Sequence, residues 1–154
     1  MALHIVLLEP EIPNNTGNIG RLSLATGATL HLIKPFGFEL DDKRVKRAGL
    51  DYWQHVNLRI YENATAFFEQ HKDKAMAFLS SHGSKDYWNI PFSNDLFLIF
   101  GKESVGLPKA LLSEQQERLY RIPIHSEHIR SINLANAVSV VVYEGLRQLD
   151  SSVL

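Results

Sequence analysis

The chain contains no cysteine. That absence removes disulfide frameworks, thiolate nucleophiles and cysteine-ligated zinc or iron–sulfur centres together, and it suits a reducing cytoplasm. An excess of one charge is missing too. Sixteen Lys and Arg stand against 17 Asp and Glu, a net charge of -1, so no global field draws the protein to a polyanion and any nucleic-acid surface has to be local. Long apolar runs are also lacking. The opening MALHIVLLEPE ends its apolar stretch at Glu9, with neither a basic leader nor a small-residue cleavage site, so it reads as a strand and not a signal peptide. No later segment approaches the roughly 20 apolar residues of a membrane-spanning helix, and no membrane partner is expected. At 154 residues with 45% hydrophobic side chains, one domain over 1–154 is the expectation.

What is present is an alternation of short apolar runs with helical patterns. His4–Leu8 is an apolar run stopped by Glu9-Pro10, and Asn14–Ala25 carries Ile19, Leu22 and Ala25 at helical spacing. Thr29–Ile33 reads as a strand closed by Lys34-Pro35, and Ala64–His71 as a helix with Phe67 and Phe68 inward. Ala75–Leu79, Leu96–Phe100 and Leu119–Ile122 are further strands, and a long helix spans Asn133–Leu149. Strands alternating with helices predict an α/β fold built on a parallel sheet, and strands as uniformly apolar as Leu96–Phe100 predict helices on both faces. Val138, Val140, Val141 and Val142 point in widely different directions around the last helix, so cover is needed beyond the sheet, from loops of the same chain or from a second copy.

Three polar segments follow three of these strands, at the edge where parallel sheets collect ligands. Asn14-Asn15-Thr16-Gly17-Asn18-Ile19-Gly20-Arg21 opens the first helix. Its glycines permit close approach, and Asn15 or Thr16 is the expected cap, leaving amide donors for an anion. It lacks the G-x-G-x-x-G run of a dinucleotide fold. Gly101-Lys102-Glu103-Ser104-Val105-Gly106-Leu107-Pro108 has glycines at phosphate-loop spacing but Leu-Pro where Lys-Ser/Thr is required, which leaves a tight turn presenting Glu103 to a hydroxyl or cation. The third segment, from Ile122 to Asn136, contains His125, Glu127 and His128, two imidazoles without a third ligand, so no metal is expected. Ser131 or Asn133 caps the helix that follows.

Together these segments resemble the SPOUT methyltransferases, in particular the small single-domain subfamily that methylates the ribose of the tRNA wobble nucleotide. The resemblance rests on residues 14–21, 101–108 and 130–138 and spans nearly the whole chain. It implies a carboxyl-terminal deep trefoil knot and transfer of methyl from S-adenosylmethionine to the 2'-hydroxyl of nucleotide 34, a cytidine or modified uridine, with S-adenosylhomocysteine as product and no metal. It also implies a homodimer in which each subunit completes the other's site. Carried over by position, the cofactor pocket takes in Leu79, Gly101, Glu103, Ile122, Ser131 and Asn133. Arg21, Tyr143 and Ser131 take catalytic places, with Tyr143 reaching the substrate across the dimer. An arginine stays protonated and is a poor literal base, so Arg21 is expected to orient the nucleotide and stabilise the developing alkoxide.

The RNA surface expected for the anticodon loop comprises Asn15, Arg21 and Arg130 with the cationic run Lys43, Arg44, Lys46 and Arg47. Lys102 and Ser104-Val105 depart from the proline and threonine-arginine usual in the family, which bears on RNA contacts more than on the cofactor. Another tRNA or rRNA nucleotide as target, and an α/β protein that binds nucleotide or RNA without catalysis, are the alternative readings.

Overall fold

The central strands are apolar on both sides because each is sandwiched. In the computed structural model, which describes residues 2–40, 43, 45, 47 and 50–150, the elements run β1 (His4–Leu8), α1 (Pro13–Thr26), β2 (Thr29–Ile33), β3 (Leu58–Tyr61), α2 (Ala64–Gln70), β4 (Met76–Leu79), β5 (Lys85–Asp86), β6 (Phe97–Phe100), α3 (Lys109–Glu114), β7 (Leu119–Arg121) and α4 (Leu134–Leu149). The seven strands form one sheet in the order β3-β2-β1-β6-β4-β7-β5, with every pairing parallel. Side chains alternate across it. Ile5 and Leu7 join Ile19, Val138, Val141 and Val142 beneath α1 and α4, whereas Val6 and Leu8 join Phe67, Phe78 and Ile99 on the face of α2 and α3. Each such fully buried aliphatic or aromatic side chain contributes about 1.5–3 kcal/mol over an exposed one.

The expected strands β1 and β2 have the observed bounds, and β4, β6 and β7 differ by a residue. Three elements were not anticipated. β3 is an edge strand with Arg59 and Ile60 exposed, β5 has two residues, and α3 is too short to show a period. Short, charged edges also deter pairing with other chains.

Helix α1 begins earlier than the caps Asn15 or Thr16 would put it. Pro13, with its helical φ preset, occupies the first turn, and Ile12 stands at the cap without a side-chain bond. Helix α4 is capped by Asn133, whose Oδ1 accepts from the Asn136 amide at 3.2 Å. Its apolar surface is divided. Val138, Val141 and Val142 are buried within the chain, while Val140 and Tyr143 stay 37% and 52% exposed.

β6 lies beside β1 although most of the chain separates them, so the strand order reverses direction between these two. Such a switch point opens a crevice outside the carboxyl ends of the strands. β7 follows β5 in sequence yet inserts between β4 and β5. Gly83 makes the crossing possible, since a Cβ there would sit 2.6 Å from the Tyr120 carbonyl carbon. Among the described residues, no helix is long and apolar enough to cross a membrane.

Candidate active site at the carboxyl rim of the sheet

The loops after β1 and β6 meet at the switch point and hold each other. The Glu103 carboxylate accepts from the Glu11 amide at 2.8 Å, the Ile12 amide at 3.0 Å and the Asn15 side-chain amide at 3.2 Å. In return Glu11 Oε1 accepts from the Ser104 amide at 2.8 Å, a bond that holds the Glu11 carboxyl below the usual carboxylate range. Lys102 Nζ stands 3.1 Å from Glu9, a residue in the left-handed region at φ 54, a conformation that costs a non-glycine on the order of 1 kcal/mol. The second loop doubles back tightly. Lys102 and Gly106 bridge each other, Gly106 has φ 73, and a Cβ on Gly101 would lie 2.1 Å from the Gly106 carbonyl carbon. No larger residue fits at Gly101.

From Glu103 the polar connection runs on to the third segment. Asn15 is 5% exposed, and while its amide donates to Glu103, its Oδ1 accepts from Asn133 Nδ2 at 3.0 Å. Three side chains thus join the loop after β6, the first turn of α1 and the cap of α4. This revises two expectations. Asn15 is buried and committed to Glu103 and Asn133, not presented to RNA, and the anion at the start of α1 is the protein's own Glu103, whose carboxylate braces this junction and does not stand free for a hydroxyl or cation. Neither fact has a local sequence signal, because Glu103 and Asn15 are 88 positions apart.

Leu79, Gly101 and Ile122 are brought together by register. Leu79 is level with Phe100 of β6 and Tyr120 of β7, so Gly101 and Ile122 leave the rim on either side of it. Leu79 is 8% exposed, Gly101 is buried and Ile122 half-buried. Beyond Ile122, the backbone of residues 122–132 makes no backbone hydrogen bond among the described residues. The His128 amide donates to Ser126 Oγ at 3.1 Å, and the remaining amides and carbonyls of this strip, beside apolar Leu79 and Ile122, fit an adenine ring, which has apolar faces and a hydrogen-bonding edge. Ser131 and Arg130 are exposed on this loop.

Arg21 is exposed on α1, with its guanidinium carbon 4.7 Å above the ring of Tyr52, an aromatic partner that sequence reasoning missed. α1 packs along α4, and Tyr143 is exposed on the latter. Gly20 faces the 3₁₀ turn Leu50–His55 that carries Tyr52, because a Cβ there would approach the Trp53 ring to 2.5 Å. In the cationic run, Lys43 and Arg47 are exposed helical positions around buried Val45, whereas Arg44 and Lys46 lie outside the described residues. His125 and His128 are exposed on the loop and carry nothing further.

Known proteins share this fold. A tRNA (cytidine(34)-2'-O)-methyltransferase of Saccharophagus degradans is 46% identical over 147 residues, 95% of each chain. A solved structure concerned with the 2-OH methylation of C/U34 on tRNA superposes with a TM-score of 0.91 at 44% identity, covering 97% of both chains. An AdoMet-bound rRNA methyltransferase from Sinorhizobium meliloti superposes with a TM-score of 0.86 at 26% identity, over 96% of this chain and 57% of that one. The model of the SpoU rRNA Methylase family matches residues 2–143, and the chain belongs to that family.

Proposed function

We propose that this protein is an S-adenosylmethionine-dependent 2'-O-methyltransferase acting on the ribose of nucleotide 34 in the tRNA anticodon loop. The observation that carries the reading is the Glu103–Asn15–Asn133 connection, which fixes three loops around one rim of the sheet in a chain of this family. The name of the Saccharophagus degradans relative supports the choice of cytidine 34. S-adenosylmethionine supplies an electrophilic methyl on a sulfonium, leaves as S-adenosylhomocysteine, and needs no metal. Leu79, Gly101 and Ile122 hold the cofactor through backbone groups and apolar contact, with Ser131 and Asn133 closing the pocket. Glu103 serves it indirectly, by holding the first loop.

Methyl transfer is an in-line displacement, so the protein's task is to align the ribose hydroxyl and ease loss of its proton. Arg21, steadied over Tyr52, orients the nucleotide and stabilises the alkoxide as it forms. Tyr143 approaches the nucleotide from the partner subunit of a homodimer, in which exposed Val140 and Tyr143 of α4 are covered together with the outer side of α1. The insertion of β7 past Gly83 is the crossing from which the trefoil knot is built. Single-stranded anticodon bases can be splayed out and read, while the 2'-hydroxyl marks the substrate as RNA. Lys43, Arg47 and Arg130, together with the undescribed Arg44 and Lys46, supply phosphate contacts. The cytoplasm, where tRNA is modified, is the matching compartment.

The test is transfer of labelled methyl from S-adenosylmethionine to unmodified tRNA, followed by mapping of the modified nucleotide. Label on the ribose of nucleotide 34 supports the reading. Label at another tRNA or rRNA position corrects the substrate, and RNA binding without transfer refutes the enzyme. Reversing Lys43 and Arg47 to Glu is expected to lower the salt slope of tRNA binding by about two units, and an unchanged slope removes that patch from the RNA surface.

A further inference from the structure

A second polar site lies at the opposite end of the sheet, on the face covered by α2. There a cleft of about 450 Å³ opens beside His4, Thr29 and Phe97, the first residues of β1, β2 and β6. Its floor is an unbroken chain of hydrogen-bonded rings. His4 Nδ1 and His31 Nε2 are 2.8 Å apart, His31 Nδ1 and the Tyr61 hydroxyl 2.8 Å, and that hydroxyl and His71 Nε2 3.0 Å. At the far end His4 Nε2 is 3.4 Å from the Asp95 carboxylate.

Asp95 selects one direction for the chain, because a carboxylate only accepts. His4 Nε2–H donates to Asp95, leaving His4 Nδ1 to accept from His31 Nε2–H. His31 Nδ1 then accepts from the Tyr61 hydroxyl, whose oxygen accepts from His71 Nε2–H. The end group is His71 Nδ1, which has no hydrogen-bond partner among the described residues.

Two permanent cations line the same cleft. Arg59 of β3 and Lys74, just beyond α2, have no ion pair or side-chain hydrogen bond among the described residues, and the one carboxylate in the lining is Asp95, already committed to His4. The cations stand close enough to act on the rings. Burial foremost, then the neighbouring His4, His71 and Arg59, press His31 down to about 3; burial, with a smaller push from Lys74, lowers His4 against the opposing Asp95 carboxylate, and burial, His4 and Lys74 lower His71. Unneutralised positive charge around imidazoles that are kept neutral is relieved by an anion.

We propose that this cleft is a second binding site, separate from the carboxyl rim, for a phosphate group held by Arg59 and Lys74. A guanidinium and an ammonium converging with the Gln70 amide and an imidazole N–H match an anion bearing several acceptor oxygens. Binding draws one proton from solvent onto His71 Nδ1, which turns that ring into a donor on both sides. The proton can also be relayed. His71 passes its Nε2 proton to Tyr61, Tyr61 to His31, and His31 to His4, where the imidazolium rests against Asp95. Only N–H and O–H bonds change, and one proton enters per anion because rings this close do not hold two charges. By linkage, the anion binds more tightly as pH falls. The phosphate belongs either to a small free molecule or to an RNA backbone.

Calorimetric titration of the full chain with inorganic pyrophosphate, at about pH 6 and about pH 8 in buffers of differing ionisation heat, tests the site. The expected results are tighter binding at the lower pH, uptake of about one proton, and at least about a tenfold loss of affinity in Arg59→Gln/Lys74→Gln. These substitutions are on the surface, and a melting curve confirms that the variant folds. In parallel, the salt slope of tRNA binding is compared between the two proteins. A lower slope in the variant assigns the phosphate to RNA, and an unchanged slope with lost pyrophosphate binding assigns it to a free ligand. Absence of pyrophosphate binding, or binding the variant does not weaken, overturns the proposal. Neither result depends on methyl transfer.

Discussion

The two ends of this sheet use polar side chains in opposite ways. At the carboxyl rim, Glu103, Asn15, Glu11 and Asn133 hydrogen-bond to one another and to the main chain of distant loops, so that polarity fixes backbone. Toward the amino end, His4, His31 and Tyr61, on strands that the sheet already holds, and His71, at the end of α2, bond to one another's side chains. Rigid loops are what an alignment reaction demands, whereas a chain of titratable rings is suited to taking up charge. The contrast teaches that a network's chemistry follows from what it is anchored to, more than from the residue types it contains.

The largest test of the contrast concerns the reacting group itself. Arg21→Ala is expected to lower kcat by roughly 10²–10³-fold, as loss of a transition-state donor does, while S-adenosylhomocysteine affinity stays within about twofold. Single-turnover assay and calorimetry separate the two quantities. Undiminished turnover would remove Arg21 from the reaction.

Next in size is the brace. Glu103→Gln replaces a carboxylate that meets three donors with an amide whose NH₂ group must face some of them. Unfolding in urea is expected to show a loss of about 1–3 kcal/mol, and transfer to fall roughly tenfold as the first loop shifts. Stability lost with activity intact would mean that the brace holds the fold and not the site.

Much of this architecture was legible because its signals are local. Strands β1 and β2 are apolar runs bounded by proline or glycine, and Asn133 stands in cap position ahead of a helical pattern. Gly101 and Gly106 announce a doubled-back turn. The polar networks were not legible. Glu103 and Asn15 meet through a switch point that depends on β6 lying beside β1, which no period reveals. His4 and His31 meet because β1 pairs with β2 with His4 level with Thr29, placing His31 diagonally across on the same face. Tyr52 reaches Arg21 from a short 3₁₀ turn with no periodic signature.

At the amino end the comparison sharpens into stability and pH. His31 is 3% exposed, and His31→Gln leaves the ring chain without its central link, for an expected loss of about 1–3 kcal/mol with unchanged affinity for S-adenosylhomocysteine. The sign of the pH effect follows from the direction of the shifts. His31 is held down to about 3 in the folded protein, and His4 and His71 are lowered too, all mainly by burial. Below about pH 6.5 the unfolded chain therefore binds protons that the native protein refuses, and stability falls as pH drops from there toward 3. The His31→Gln variant is expected to lose up to about 1.4 kcal/mol per pH unit of this slope, measured by urea denaturation across that window. Parallel slopes in the two proteins would mean that His31 takes no part.

The smallest effect separates the two kinds of bond that meet at the rim. Lys102 and Glu9 form an ion pair at 3.1 Å with their side chains 30% and 32% exposed, so solvent and salt screen most of their attraction. Lys102→Ala is expected to change stability by no more than about 0.5 kcal/mol, with a smaller difference still at high salt. Glu103, whose carboxylate meets main-chain amides on the neighbouring loop, is the direct comparison. If the two substitutions cost the same in urea, charge pairing holds the loops and the brace is incidental. If Glu103→Gln costs several times more, the rim is held by carboxylate bonds to the backbone, the kind of bond that the amino end of the sheet does not use.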